Sequence, residues 1–189
     1  MRRYGLIRLL PALALSWVAT GCFLRPHPPA PWPLPKVAAG PIRGNWVQTL
    51  LLERDGKDLR LLAVIESDGD SLTLAGLSPM GQRLVRITWR DGKVDQETDP
   101  NLPVKVDGEA ILRDVVFANW PPEALQAVMA GTAWKPEFKG PERMLYMGDR
   151  LWQTAAPEAL PDGEGEGLLV DHVTEKYRVH VATVEKNDP

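Results

Sequence analysis

The sequence contains one cysteine and three histidines among its 189 residues. A single cysteine excludes an internal disulfide and any zinc site that needs several cysteine ligands. The chain also lacks an excess of positive charge, because its net charge is −3, and this argues against nucleic acid as the main partner. Apolar residues make up 44% and charged residues 25% of the chain, a balance typical of one globular domain.

The common catalytic motifs are also missing. None of the serines beyond the N-terminal region, Ser67, Ser71 and Ser78, lies in a Gly-x-Ser-x-Gly motif. His172 and His180 do not have the spacing of a helical zinc site. A hydrolase would need one of these serines to approach one of these histidines in the fold. The sequence therefore favours a protein that is not an enzyme, with no catalytic residue, no metal and no cofactor.

The first 21 residues are typical of an export signal. Three arginines accompany an apolar stretch at 9–18, which is shorter than the roughly 20 residues that span a bilayer. Residues 19–22, Ala-Thr-Gly-Cys, resemble the lipobox of bacterial lipoproteins. This resemblance implies a signal peptide at 1–21, acylation of Cys22 and attachment to a membrane through the acyl chains. The alternative is an ordinary signal peptide followed by a structural cysteine.

Residues 22–44 are interpreted as the lipidated cysteine and a proline-rich tether. Seven prolines fall between residues 25 and 41, a density that neither a helix nor a central strand tolerates. A polyproline II spacer extends about 3.1 Å per residue and would hold the domain away from the membrane. Phe23 stands where an aspartate would resemble an inner-membrane retention signal. The expected location is the outer membrane of a Gram-negative bacterium, facing the periplasm.

The folded part is predicted at 45–189 and contains short alternating segments separated by turn dipeptides. The alternation is clearest at 82–90, where Val85, Ile87 and Trp89 share one face. Asp-Gly pairs mark hairpin turns between such segments. The predicted strands are 46–53, 59–66, 71–77, 82–90, 143–147, 151–154, 168–173 and 177–184.

Two short helices are predicted between the two groups of strands. Residues 109–117 place apolar side chains at helical spacing. Two consecutive prolines, Pro121 and Pro122, end this helix and begin a second one that runs to about residue 130. The simplest fold is mainly β, of the α+β kind: an antiparallel sheet curled around the inserted helices.

Inward-facing residues of the sheet and one apolar loop are the candidate binding features. The inward residues would line a cavity for an apolar ligand or, in the alternative interpretation, form an ordinary core. The predicted cavity residues are Val85, Ile87, Trp89, Leu145 and Trp152. The connection at 77–82 carries Leu77 and Met80 among turn-forming residues, which indicates contact with lipid or a partner, although Leu77 could simply end a strand.

The order of several motifs resembles a known family of lipoproteins. The run Leu-Ser-Pro-Met-Gly-Gln at 77–82, Trp-Pro at 120–121 and the stretch 125–131 are similar to LolB-type outer-membrane lipoproteins. The chain resembles more closely an uncharacterised lipoprotein family whose genes accompany aryl-polyene biosynthesis, over about residues 45–184. The resemblance implies a LolB/LolA-like half-open, curved antiparallel β-barrel, capped by short helices, with an apolar interior. In LolB an apolar residue protrudes from the loop that matches Met80.

The resemblance also carries an expected function. LolB accepts lipoproteins from a periplasmic carrier and places them in the outer membrane. We therefore expect a lipoprotein that binds acyl or other hydrophobic chains, for transfer of lipoproteins, lipids or aryl polyenes to the outer membrane. The expected partners are the membrane, a hydrophobic ligand and a periplasmic carrier protein, and no nucleic acid. The alternative is a non-catalytic scaffold lipoprotein whose sheet is filled by its own side chains.

Overall fold

The computed structural model describes residues 31–36, 43–102, 105–160 and 166–187. Within these ranges ten strands form one antiparallel sheet and two short α helices join its halves. The strands are β1 (Gly44–Arg54), β2 (Lys57–Ser67), β3 (Ser71–Leu77), β4 (Arg83–Arg90), β5 (Lys93–Thr98), β6 (Trp134–Lys139), β7 (Glu142–Met147), β8 (Arg150–Ala159), β9 (Glu166–His172) and β10 (Tyr177–Asn187). The helices are α1 (Gly108–Asn119) and α2 (Pro122–Met129). The prediction of a mainly β fold with two inserted helices is confirmed.

Two of the two-residue hairpin turns are formed by Asp-Gly pairs of the sequence. Asp55 and Gly56 have φ angles of 52° and 71°, and Asp91 and Gly92 have φ angles of 52° and 72°. Positive φ at both central residues is the geometry of a type I′ turn, whose twist matches that of the flanking strands. These dipeptides therefore fix the registers of β1 with β2 and of β4 with β5.

The order of strands in the sheet is β5-β4-β3-β2-β1-β10-β9-β8-β7-β6. The first and last described strands thus meet at the centre, where Leu50 lies opposite Val181 and Arg54 opposite Tyr177. Strands β5 and β6 are the two edges in the described part of the chain, so the sheet is not closed into a barrel.

The two edge strands are additions to the predicted set. Five of the six residues of β5 are exposed, and β6 contains Pro136 in its interior. An edge strand tolerates both features, because one side of its backbone and much of its surface remain in water. Strand β8 also extends to Ala159, beyond the predicted end at residue 154.

Helix α1 begins at a capping aspartate and lies close to the sheet. The Asp107 side chain accepts a hydrogen bond from the backbone N–H of Ala110 at 3.1 Å. A Cβ atom on Gly108 would lie 2.7 Å from Oε1 of Gln96 and 3.3 Å from the Ile87 side chain. The absence of a side chain at Gly108 therefore allows the start of α1 to approach β4 and β5.

The sheet is curved, with the helices on its concave face. Helix α1 contacts β5 and α2 contacts β6, although these strands are opposite edges. A flat ten-stranded sheet would be about 43 Å wide, whereas 20 helical residues span at most about 30 Å. Buried residues of both helices and of the strands on both sides form one continuous core cluster.

The folded part begins before residue 45. Trp32, within the predicted tether, is 3% exposed and belongs to the core cluster, and Leu34 packs against that cluster. The Trp32 carbonyl accepts a hydrogen bond from Nε of Arg113 on α1 at 2.8 Å. Residues 31–36 are therefore part of the domain and not a free spacer. The predicted signal peptide at 1–21 and Cys22 lie outside the described residues.

Candidate functional site

The predicted cavity residues lie in the packed core beneath the helices. Ile87, Trp89 and Leu145 are fully buried and Val85 is almost so. Trp152 packs against the same cluster, and its ring meets that of Trp134 edge-on with centroids 5.3 Å apart. The fold thus brings all five together, but side chains of α1 and α2 occupy the space beside them. A ligand would reach them only after a helix moved.

Another part of the concave face is apolar and only partly covered. Alternation along β2 puts Leu59 and Leu61 on the same face as the buried Ile65. The registers of β1 with β2 and β10 bring four further aliphatic side chains beside them. All six side chains are only partly buried. We call this set the apolar strip: Leu50, Leu52, Leu59, Leu61, Val179 and Val181.

Three polar residues continue this face where the apolar strip ends. Arg54 of β1, Tyr177 of β10 and His172 of β9 are neighbours in register. The Tyr177 ring stacks on the His172 ring with centroids 3.9 Å apart and 18° between the planes. The guanidinium carbon of Arg54 lies 5.8 Å from the Tyr177 ring centre, a cation–π distance. We call these three residues the polar end.

Asp114 of α1 connects the polar end to the helix. Its Oδ1 accepts a hydrogen bond from Nε2 of Gln153 at 2.9 Å, and its Oδ2 accepts one from the Tyr177 hydroxyl at 3.4 Å. Nε2 of His172 also lies 2.9 Å from Oδ1, but without hydrogen-bond geometry. Burial, together with the negative charges of Asp114 and Glu175, raises the pKa of Tyr177 far above its usual value. The Tyr177 hydroxyl therefore stays protonated and acts as a donor.

Two further polar contacts hold α1 against the sheet. At the start of the helix, the N–H of Gly108 donates to Oε1 of Gln96 on β5 at 2.8 Å. At its end, Nη1 of Arg143 on β7 donates to the carbonyls of Phe117 and Trp120 at 2.9 and 2.5 Å. Burial lowers the pKa of Arg143. With Asp114 in the middle, α1 is attached at three points along its length.

A groove of about 620 Å³ opens at the polar end, between the β1–β2 and β9–β10 turns. Its lining includes Arg54, Asp58, His172, Lys176 and Tyr177, and its volume is in the range of small-ligand sites. His172 is 5% exposed, and its Nδ1 has no hydrogen-bond partner among the described residues. The lining of the groove therefore includes an imidazole whose buried Nδ1 has no hydrogen-bond partner among the described residues.

The 77–82 connection forms a hydrogen-bonded turn with one exposed apolar side chain. Met80 is 92% exposed. The N–H of Gly81 donates to the carbonyl of Ser78 at 2.9 Å, and the N–H of Ser78 donates to the carbonyl of Gln82 at 2.8 Å. Leu77 lies at the end of β3 opposite Leu62 and is half-buried. Met80 is thus the apolar residue that this turn holds in solvent.

Two of the three serines of the hydrolase alternative lie far from the polar end. Ser67 and Ser71 lie at the β2–β3 turn, whereas His172 is in register with Tyr177 and Arg54 at the other end of the sheet. The length of β2, about 34 Å for 11 residues, separates these ends. His180 lies with Nδ1 2.9 Å from Oε1 of Glu158.

The apolar strip and the polar end are the features that sequence reasoning missed. A signal for the strip was present, because β1 and β2 carry leucines on both faces, as in the run 50–52. A strand with one face in water normally alternates apolar and polar residues. The contact of Asp114 with Tyr177 spans 63 positions, and no sequence spacing indicates it.

Neither described helix has the length and apolar character needed to cross a bilayer. No group of three or more histidine, cysteine, aspartate or glutamate residues in the described ranges is arranged to hold a metal ion.

The fold and these sites define a mainly antiparallel β protein with a partly helix-covered concave face. A family model described as "Protein of unknown function (DUF3261)" matches residues 45–185. The match covers most of the chain, and the chain belongs to this family. A search of curated proteins found no matching relative.

Proposed function

We propose that the protein is an outer-membrane lipoprotein, anchored through acylated Cys22, that binds an acyl or similar apolar chain on the concave face of its sheet. The apolar strip is the observation that supports this function. Its six aliphatic side chains are only partly buried, and one of them, Val179, packs against the core. Contiguous apolar surface of this kind is typical of ligand or partner sites. No catalytic step is involved, since transfer follows from the relative affinities of successive sites for the chain.

The dimensions of the apolar strip suit part of an acyl chain. The strip crosses three strands, about 10 Å, and continues about 7 Å along them. About ten methylenes laid against it would contribute on the order of 8 kcal/mol, before the costs of association and ordering are subtracted. Binding through the apolar strip alone is therefore weak and reversible, as a transfer protein requires.

The proposed cargo route is similar to that of LolB. A periplasmic carrier would deliver a lipoprotein, a lipid or an aryl polyene. The acyl or polyene chain of this cargo would pass from the apolar strip to the outer membrane. The open sheet with helices on its concave face supports this comparison. The exposed Met80 supplies an apolar contact with the membrane or the carrier.

One observation favours the scaffold alternative. The five predicted cavity residues are in or against a core that the helices fill. A scaffold lipoprotein would keep that core closed, and its apolar strip would be covered by another envelope protein.

Exchanging one leucine of the apolar strip for a charge tests the proposal. Leu61→Glu should weaken binding of a fluorescent polyene fatty acid to the mature chain, carrying Cys22→Ser, by at least about tenfold. The reason is that the acyl chain of the fatty acid would have to displace water from the introduced carboxylate, which is unfavourable. Fluorescence titration measures the affinity.

The neighbouring residue provides a matched control. Leu62 is also half-buried but lies on the opposite face, so Leu62→Glu should keep the wild-type affinity within about twofold. Equal affinities for both variants and wild type would refute the apolar strip as the site. A wild-type protein that binds no fatty acid would favour the scaffold function.

The Met80 turn has a separate test. Met80→Glu should reduce transfer of bound fatty acid to anionic lipid vesicles several-fold. Anionic lipids repel a carboxylate on the 77–82 turn, and a carboxylate inserts poorly into a bilayer. Its free energy of unfolding should change by less than about 0.5 kcal/mol, since the side chain is exposed. Val184→Glu, at another exposed apolar residue, is the control. Transfer by the Met80 variant at the wild-type rate would contradict the membrane-contact role.

A further inference from the structure

The polar end directly continues the apolar strip. Arg54 follows Leu52 by two positions on the same face of β1, and Tyr177 precedes Val179 by two positions on β10. The separation along each strand is about 7 Å. A ligand whose acyl chain lies along the apolar strip therefore brings its head group to the polar end and to the groove there.

Arg54 and Lys176 supply cationic groups to this groove, and the carboxylates of Asp114 and Glu175 lie close to Tyr177. Of the acidic residues that line the groove, Glu53 and Asp171 are in register with Arg178 on the convex face, and Arg178 lies 3.5 Å from Asp171. Asp58 is opposite Glu53 on that same face. Arg54 faces the concave side, and its pair with Asp55, at 3.8 Å and highly exposed, is of the weak kind that leaves its donors accessible.

A second observation at the same place indicates an unfilled position for a ligand atom. His172 lines the groove, is almost fully buried, and has no hydrogen-bond partner for Nδ1 among the described residues. A buried polar atom without a partner costs about 1–3 kcal/mol. The Asp114 carboxylate is already engaged with Gln153 and Tyr177. A ligand oxygen in the groove would satisfy the imidazole.

We propose that the ligand is an amphiphile with an oxyanion head, which Arg54 and His172 bind while its chain lies on the apolar strip. A guanidinium binds carboxylate and phosphate groups through paired N–H donors, and Lys176 lines the same groove. This inference rests on the proposed function and adds the chemistry of the head group. It distinguishes the ligand from neutral acylglycerols and esters.

The test compares charged and neutral ligands with the same chain. The mature chain carrying Cys22→Ser is titrated at pH 8 with palmitate and with methyl palmitate, each competing with the fluorescent fatty acid. Wild type should bind the acid about tenfold more tightly than the ester. In Arg54→Gln most of this preference should disappear through loss of acid affinity alone, because the guanidinium supplies the paired donors while His172 remains. Arg54 is 60% exposed at its side chain, so the substitution leaves the fold intact.

A matched control and a second ligand pair separate the outcomes. Arg60→Gln, an exposed arginine opposite Leu51 on the convex face, should keep the wild-type preference. Lysophosphatidic acid compared with monopalmitoylglycerol tests phosphate as the head, and a preference in this pair alone assigns the site to phosphate. If wild type binds the charged and the neutral ligand equally in both pairs, the oxyanion site is wrong while the proposed binding of an apolar chain stands. If wild type binds none of the four ligands, both the oxyanion site and the proposed function are wrong.

Discussion

Replacing Asp114 by alanine should lower the free energy of unfolding by about 3 kcal/mol. The side-chain amide of Gln153, 2% exposed, would lose its acceptor at 2.9 Å, and the Tyr177 hydroxyl would lose its acceptor at 3.4 Å. A buried donor without a partner retains its full desolvation cost. Urea denaturation followed by circular dichroism measures the difference.

Two variants sharpen this result. Asp114→Asn keeps an acceptor oxygen of similar size but not the charge, and should cost less than Asp114→Ala. Asp95→Ala, at an exposed position of β5, should change stability by less than about 0.5 kcal/mol. A loss below about 1 kcal/mol for Asp114→Ala would show that the network contributes little to holding α1. That would leave the contacts of Gly108 and Arg143, together with the buried apolar side chains of α1, to hold the helix.

Local patterns were sufficient to predict most of the strands. Alternating segments such as 82–90 and the Asp-Gly turns carry their information within a few residues, and β1 to β4 lie close to their predicted positions. Strands β5 and β6 carry weaker patterns because an edge strand is exposed, and in β6 interrupted by Pro136. Their pairing depends on neighbours and not on their own periodicity.

The candidate site depended on information that local patterns do not contain. Alternation correctly grouped Val85, Ile87 and Trp89 on the inner face, but it does not indicate which part of that face the helices cover. That position is set by long-range contacts, for example between Asp114 and Gln153, 39 positions apart. The covered part became core, and the less covered part, the apolar strip, lies on β1, β2 and β10.

The tether was the other place where composition gave an incomplete answer. Proline density excludes helices and central strands, and residues 31–36 have neither. It does not exclude docking, since Trp32 can be buried without regular secondary structure. Its carbonyl is satisfied by Arg113 from a helix 81 positions away.

Trp32→Ala should therefore lower the free energy of unfolding by about 3–4 kcal/mol, the range for removal of a buried aromatic side chain. Trp32 is 3% exposed within the core cluster, so the substitution removes apolar contacts and leaves a cavity. Pro33→Ala at the exposed next residue is the control and should cost less than about 1 kcal/mol. Equal stabilities of the two variants would show that residues 31–36 do not dock in solution.

A soluble version that begins at residue 37 should show the same loss as Trp32→Ala, because it lacks the whole docked segment. Urea denaturation of the shortened chain measures this loss, and a stability equal to that of wild type would contradict docking of residues 31–36.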